Sequence, residues 1–105
     1  MSVTRTFTVT VQSTGSGNKY FIDGVQQATI ILAETGTYKF DQSDSSNSSH
    51  PFRFSTTSNG THSGGSEYTT GVTTSGNAGD NGAYVQITVA ASAPQLYYYC
   101  TNHSG

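Results

Sequence analysis

Leu96-Tyr97-Tyr98-Tyr99-Cys100-Thr101-Asn102-His103-Ser104-Gly105 are the last ten residues of the sequence, and they decide how the rest is read. Leu96–Cys100 is a short run of strand-forming residues, and Cys100 and His103 fall where such a strand opens into a loop. Alternation puts Leu96, Tyr98 and Cys100 on one face and Tyr97 and Tyr99 on the other, so an inward cysteine directs those two rings outward or toward a neighbour. Far upstream, His50 supplies a second imidazole. A thiolate and two imidazoles, meeting at one end of a rigid β body, are sufficient ligands for a soft metal ion.

Working back from that strand, Ala83–Val89 alternates cleanly, with Val85, Ile87 and Val89 on one face and Tyr84, Gln86 and Thr88 on the other. At the opposite end of the chain, Arg5, Phe7, Val9 and Val11 alternate with Thr4, Thr6, Thr8 and Thr10, which predicts a first strand. A turn over Ser13–Asn18 leads into a strand at Lys19–Ile22, closed by the hairpin dipeptide Asp23-Gly24. Ala28–Leu32 is an apolar run too short for a stable helix and is expected to be a strand. Glu34-Thr35-Gly36 turns it into Thr37–Phe40, with Tyr38 and Phe40 facing the interior. Asp41–Ser49 contains no hydrophobe and reads as a loop delivering His50-Pro51 to the lip of a strand through Phe52 and Phe54. Thr56–Ser66 is a glycine-rich turn or loose hairpin, Glu67–Thr74 an edge or irregular segment, and Asn77–Gly82 a loop. The expected fold is all-β, a single domain over 1–105: a two-sheet antiparallel Greek-key sandwich of about seven short strands.

Composition limits the function. Of 105 residues, 32 are Ser or Thr and 12 are Gly, so polarity is carried by hydroxyls and amides rather than by charge. The net charge is −2, with Arg5, Lys19, Lys39 and Arg53 as the only basic residues. Four scattered cations cannot neutralise a row of phosphates, so neither nucleic acid nor an anionic membrane surface is an expected partner. No run approaches a membrane-spanning length and no signal peptide is visible; either a leader has been removed or the protein reaches its destination without one. A single cysteine rules out an internal disulfide and leaves metal binding, catalysis or burial as its use. No oxyanion hole or orienting third residue accompanies Cys100 and the histidines, so an enzyme is not expected. His62, in Thr61-His62-Ser63-Gly64-Gly65, reads as a solvated loop histidine, and Asp41, Asp44 and Asp80 lack the spacing of a calcium loop.

The sequence resembles the cupredoxin family through Ser46-Asn47-Ser48-Ser49-His50-Pro51-Phe52-Arg53-Phe54 and Tyr98-Tyr99-Cys100-Thr101-Asn102-His103. The likeness runs from about Val25 to Gly105 and extends to cupredoxin-like domains in proteins of marine bacteria and their phages. The resemblance implies a cupredoxin-like sandwich in which His50, Cys100 and His103 hold copper. Two departures stand out. Met1 is the only methionine, so the usual axial ligand after the second histidine is absent from this sequence. Pro51 cannot donate the backbone hydrogen bond that the residue after the first histidine commonly gives the cysteine sulfur.

Two functions are expected. One is a structural or display module of a phage virion, a fibre, tail or capsid-surface component. It would associate with itself or with other virion proteins through a Tyr-, Ser- and Gly-rich surface on which Tyr97 and Tyr99 are exposed. The other is a copper-binding electron-transfer protein using the Cys-His-His site. The corresponding locations are the virion or an extracellular or periplasmic space.

Overall fold

Threonine alternating with Phe7, Val9 and Val11 produces the longest strand, β1 (Arg5–Thr14), whose Phe7 and Val9 are buried while Thr6 and Thr8 face solvent. In this computed structural model residues 5–15, 17–30, 32–57, 60–91 and 93–102 are described, without the side chains of Thr61 and Ser63. After β1 come β2 (Gly17–Ile22), β3 (Val25–Gln26), β4 (Thr37–Asp41), β5 (Phe52–Ser55), β6 (Glu67–Tyr68), β7 (Val72–Ser75), β8 (Tyr84–Thr88) and β9 (Tyr97–Cys100). Short 3₁₀ turns at Ser45–Asn47 and Gly60–Ser63 interrupt the β4–β5 and β5–β6 loops.

The strands form a six-stranded sheet in the order β3-β2-β1-β4-β8-β7 and a three-stranded sheet in the order β6-β5-β9. The protein is thus the expected all-β, two-sheet sandwich. Asp23 and Gly24, with φ of 50° and 83°, make the tight β2–β3 turn that the dipeptide predicts. The predicted edge segment Glu67–Thr74 resolves into β6 and the start of β7, each the outer strand of its sheet.

Two details differ from expectation. First, β1 and β4 run parallel, pairing Arg5 with Tyr38 and Phe7 with Phe40, whereas every other ladder is antiparallel. The order β4-β1-β2-β3 is the spatial order of a Greek key, but its closing pair is parallel because the long connection from β3 to β4 returns the chain in the direction of β1. That register stacks the Phe7 and Phe40 rings, centroids 5.0 Å apart. Second, the described part of Ala28–Leu32 is not a strand; Ile31 lies outside the described residues. Side-chain hydroxyls replace a ladder there: Tyr98 Oη donates to the Ala28 carbonyl at 2.7 Å, and the Ala33 amide donates to Tyr38 Oη at 2.8 Å. Ala28, Ile30 and Leu32 still pack on the core as half-buried residues.

The interior is aromatic. Phe40 sits between Phe7 and Phe52, with Phe54 edge-on at 5.5 Å, and Phe52 stacks on Tyr98 at 5.1 Å. Burying one such ring stabilises the fold by roughly 1.5–3 kcal/mol, and Phe52 lies beside Cys100 as its partner across the β5–β9 ladder. Among the described residues no helix is long and apolar enough to cross a membrane.

Candidate metal centre

The β5–β9 ladder brings the two distant segments together. Phe52 pairs with Cys100 and Phe54 with Tyr98, both strands contributing alternate side chains to the core. Two further bonds extend the pairing past the strand ends: the Thr101 amide donates to the Pro51 carbonyl at 3.3 Å, and Asn102 Nδ2 to the Ser49 carbonyl at 3.1 Å. His50 is thereby drawn over β9, its Nδ1 3.6 Å from Cys100 Sγ. Of the three ligands implied by the sequence, His50 and Cys100 meet, and His103 lies outside the described residues. Among the described residues no third His, Cys, Asp or Glu joins the pair.

What holds His50 is a pair of buried amides. Asn47, fully buried, donates from Nδ2 to the Val9 carbonyl at 2.7 Å and the Asp44 carbonyl at 3.1 Å, tying the loop to β1. Its Oδ1 accepts from Gln42 Nε2, which also donates to the His50 carbonyl at 2.8 Å. Gln42 Oε1 accepts the Phe52 amide, and the His50 amide donates to the Asn47 carbonyl. At the front of the turn the side chain and the amide of Ser46 hydrogen-bond to Asp44, holding its carboxyl below the ordinary 3.8. Buried amides are tolerated only when their donors and acceptors are matched, and among the described residues no buried side-chain nitrogen or oxygen lacks a partner. A segment without a single hydrophobe is therefore a fixed platform for one imidazole.

Tyr20 completes this platform from the other sheet. Its hydroxyl donates to the His50 carbonyl at 2.6 Å, and its ring packs edge-on to Phe52 at 5.3 Å. Burial raises the phenol pKa most; the charge of Cys100 and a hydrogen bond to it raise it further, so the hydroxyl stays protonated beside the sulfur. Tyr98, hydrogen-bonded to Ala28, is pushed up by burial to about 12. Tyr20, Gln42 and Asn47 carried no signal in the sequence: an amide or phenol bonded to distant backbone leaves no periodicity.

The other face of β9 departs from expectation. Tyr99 is buried rather than outward-facing, because the 3₁₀ turn at Gly60–Ser63 lies over it; Gly60 is the residue that permits this, since a Cβ there would run into the Tyr99 ring. His62 lies edge-on to the same ring, and its Nε2 stands 2.7 Å from the Cys100 carbonyl oxygen. Though exposed, as a solvated histidine would be, His62 ties the loop to β9. Tyr97 alone of the two is exposed.

The geometry fits a shared metal. With metal–sulfur and metal–nitrogen bonds of about 2.3 and about 2.1 Å at a roughly tetrahedral angle, the two ligand atoms stand about 3.6 Å apart, the separation found between Cys100 Sγ and His50 Nδ1. The same distance suits a thiol–imidazole hydrogen bond in the metal-free protein. A cleft of about 930 Å³ is lined by Tyr20, Ile30, His50, Leu96, Tyr98 and Cys100.

No protein-family model, no curated protein and no solved structure matches this chain.

Proposed function

We propose that the protein is a copper-binding domain of cupredoxin type, in which His50 Nδ1 and Cys100 Sγ hold the metal and His103 is the third ligand. The observation that carries this is the 3.6 Å separation of Nδ1 and Sγ at the end of the β5–β9 ladder. Further support comes from the donor set, since thiolate and imidazole suit copper and favour one-electron cycling between its two oxidation states. The residues themselves supply rigidity: Asn47 and Gln42 fix the histidine loop, Phe52 backs the cysteine, and little rearrangement is needed as charge changes. Addition of Cu(II) is expected to produce an intense visible thiolate-to-metal band that is absent in Cys100→Ser. A wild-type protein with no such band would remove the proposal.

The second role, a structural or display module of a virion, is compatible with a bound metal. It is favoured by the exposed apolar side chains among the described residues, Val25 at 57% and Tyr97 at 36% accessibility, in a sequence rich in hydroxyls. Self-association, or association with other virion proteins, through the Tyr97 region predicts a sedimentation coefficient that rises with concentration and falls back in Tyr97→Ser. A monomer at every concentration counts against self-association.

A further inference from the structure

Each sheet has two outer strands, and an outer strand presents backbone groups with which another chain can pair. Three of the four are blunted. β3 is two residues long and turns away at Gln27, whose φ is 45°. β6 is equally short and carries Glu67, ion-paired to Arg53 at 3.7 Å. On β9 the Cys100 carbonyl is met by His62 Nε2. β7 differs: it is four residues long, and Gly71–Gly76 contains no charged residue and no proline. Among the described residues no strand lies beyond it.

The ladder with β8 determines which groups of β7 face outward. The Thr88 amide donates to the Gly71 carbonyl at 2.9 Å, so Gly71 and Thr88 form a hydrogen-bonded pair, and such pairs alternate along antiparallel strands. Thr73 with Gln86 and Ser75 with Tyr84 are then the next bonded pairs, whereas Val72 and Thr74 turn their backbone groups away from β8. The Val72 amide is taken by the Thr69 carbonyl. The outer edge therefore offers an acceptor at Val72 and, at Thr74, a donor and an acceptor side by side. That pattern is its own complement. A second β7 laid antiparallel, with Thr74 opposite Thr74, exchanges two N–H to C=O bonds across a twofold axis. The same register sets Thr73 opposite the partner's Ser75, a hydroxyl pair that adjacent strands accommodate. All of 73–76 are exposed, and without charge on the strand two copies meet there without repulsion.

We infer that β7 is a twofold interface through which a second copy of this chain joins its six-stranded sheet to the first. It needs no metal, and it is separate from the Tyr97 surface, which belongs to β9 of the other sheet.

The test is sedimentation equilibrium of the whole protein, with Tyr97→Ser as the reference so that the Tyr97 surface does not contribute. Tyr97→Ser is compared with Tyr97→Ser/Thr74→Pro, in which the amide at the axis is deleted, folding being checked by circular dichroism. The expected result is twice the chain mass for the first and the chain mass for the second. A Tyr97→Ser protein that is monomeric at every concentration overturns the inference, and wild-type association alongside it would assign self-association to Tyr97 alone. A dimer that persists in the double variant also overturns it. If the proline variant does not fold, Thr74→Lys takes its place, since it sets two like charges opposite each other at the axis, and the same two masses decide.

Discussion

Two loops bring a histidine to Cys100, and they are built from different materials. Residues 42–50 hold His50 with wholly buried amides, Asn47 and Gln42, whose bonds reach β1, β5 and the loop itself. Residues 56–66 bring His62 to the opposite side of β9 with hydroxyls and glycine: Ser55 Oγ meets Thr57 Oγ1 at 3.0 Å, Thr57 Oγ1 donates to the Gly60 carbonyl, and Gly60 lies against Tyr99. The first loop presents its imidazole to the sulfur; the second presents its imidazole to the backbone carbonyl of the same residue. A buried amide network fixes a side chain because every broken bond leaves a polar atom stranded away from water. Of the two hydroxyl residues in the second loop only the anchor, Ser55, is buried, while Thr57 is exposed and can exchange its bonds for water at less cost.

The sharpest way to break this contrast is Asn47→Ala. The Val9 and Asp44 carbonyls and Gln42 Nε2 each lose a partner, and the expected loss is on the order of 3 kcal/mol, measured by urea unfolding. A loss no larger than that of the next variant would mean that the two loops are equivalent. Gly60→Ala comes second, at about 2 kcal/mol, since φ of +54° disfavours a side chain and the new methyl must displace Tyr99. His62→Ala is smaller, under about 1 kcal/mol for one hydrogen bond at an exposed side chain, and should leave a copper band in place. His50→Ala, by contrast, should abolish it. Loss of the band in His62→Ala would assign that histidine to the metal.

The smallest effect is a titration. Asp44 has its carboxyl pKa lowered by the side chain and amide of Ser46, so its capping bond is fully present above 3.8 and is lost as pH falls through the lowered folded value. Carbon-detected NMR of the Asp44 carboxyl should give a midpoint below 3.8, and a midpoint at or above it would show that the cap of the His50 loop is not formed.

What the sequence made legible follows from short-range patterns. Alternation in Phe7–Val9 and in Val85–Ile87 identified the buried faces, and Asp23-Gly24 identified its turn, because both depend on neighbours a few residues away. His50 and Cys100 were legible as strand-end residues with metal-binding side chains, and the β5–β9 ladder brings them together. The parallel β1–β4 pair was not legible, since alternation fixes the face of a strand but not the direction of its partner. Nor was the irregular path of Ala28–Leu32, whose hydrophobicity satisfies the core equally well without a ladder once Tyr98 and Tyr38 bond its backbone. Tyr99 was misplaced for a related reason: strand alternation turned it away from Cys100 correctly, but the turn that covers it comes from residues 60–63.

The most direct measurement is X-ray absorption at the copper edge of the loaded protein. One sulfur scatterer in the first coordination shell, lost in Cys100→Ser, together with imidazole scattering that weakens in His50→Ala, is the predicted result. A first shell of nitrogen and oxygen alone in the wild-type protein would contradict the placement of Cys100 and His50 on a common metal.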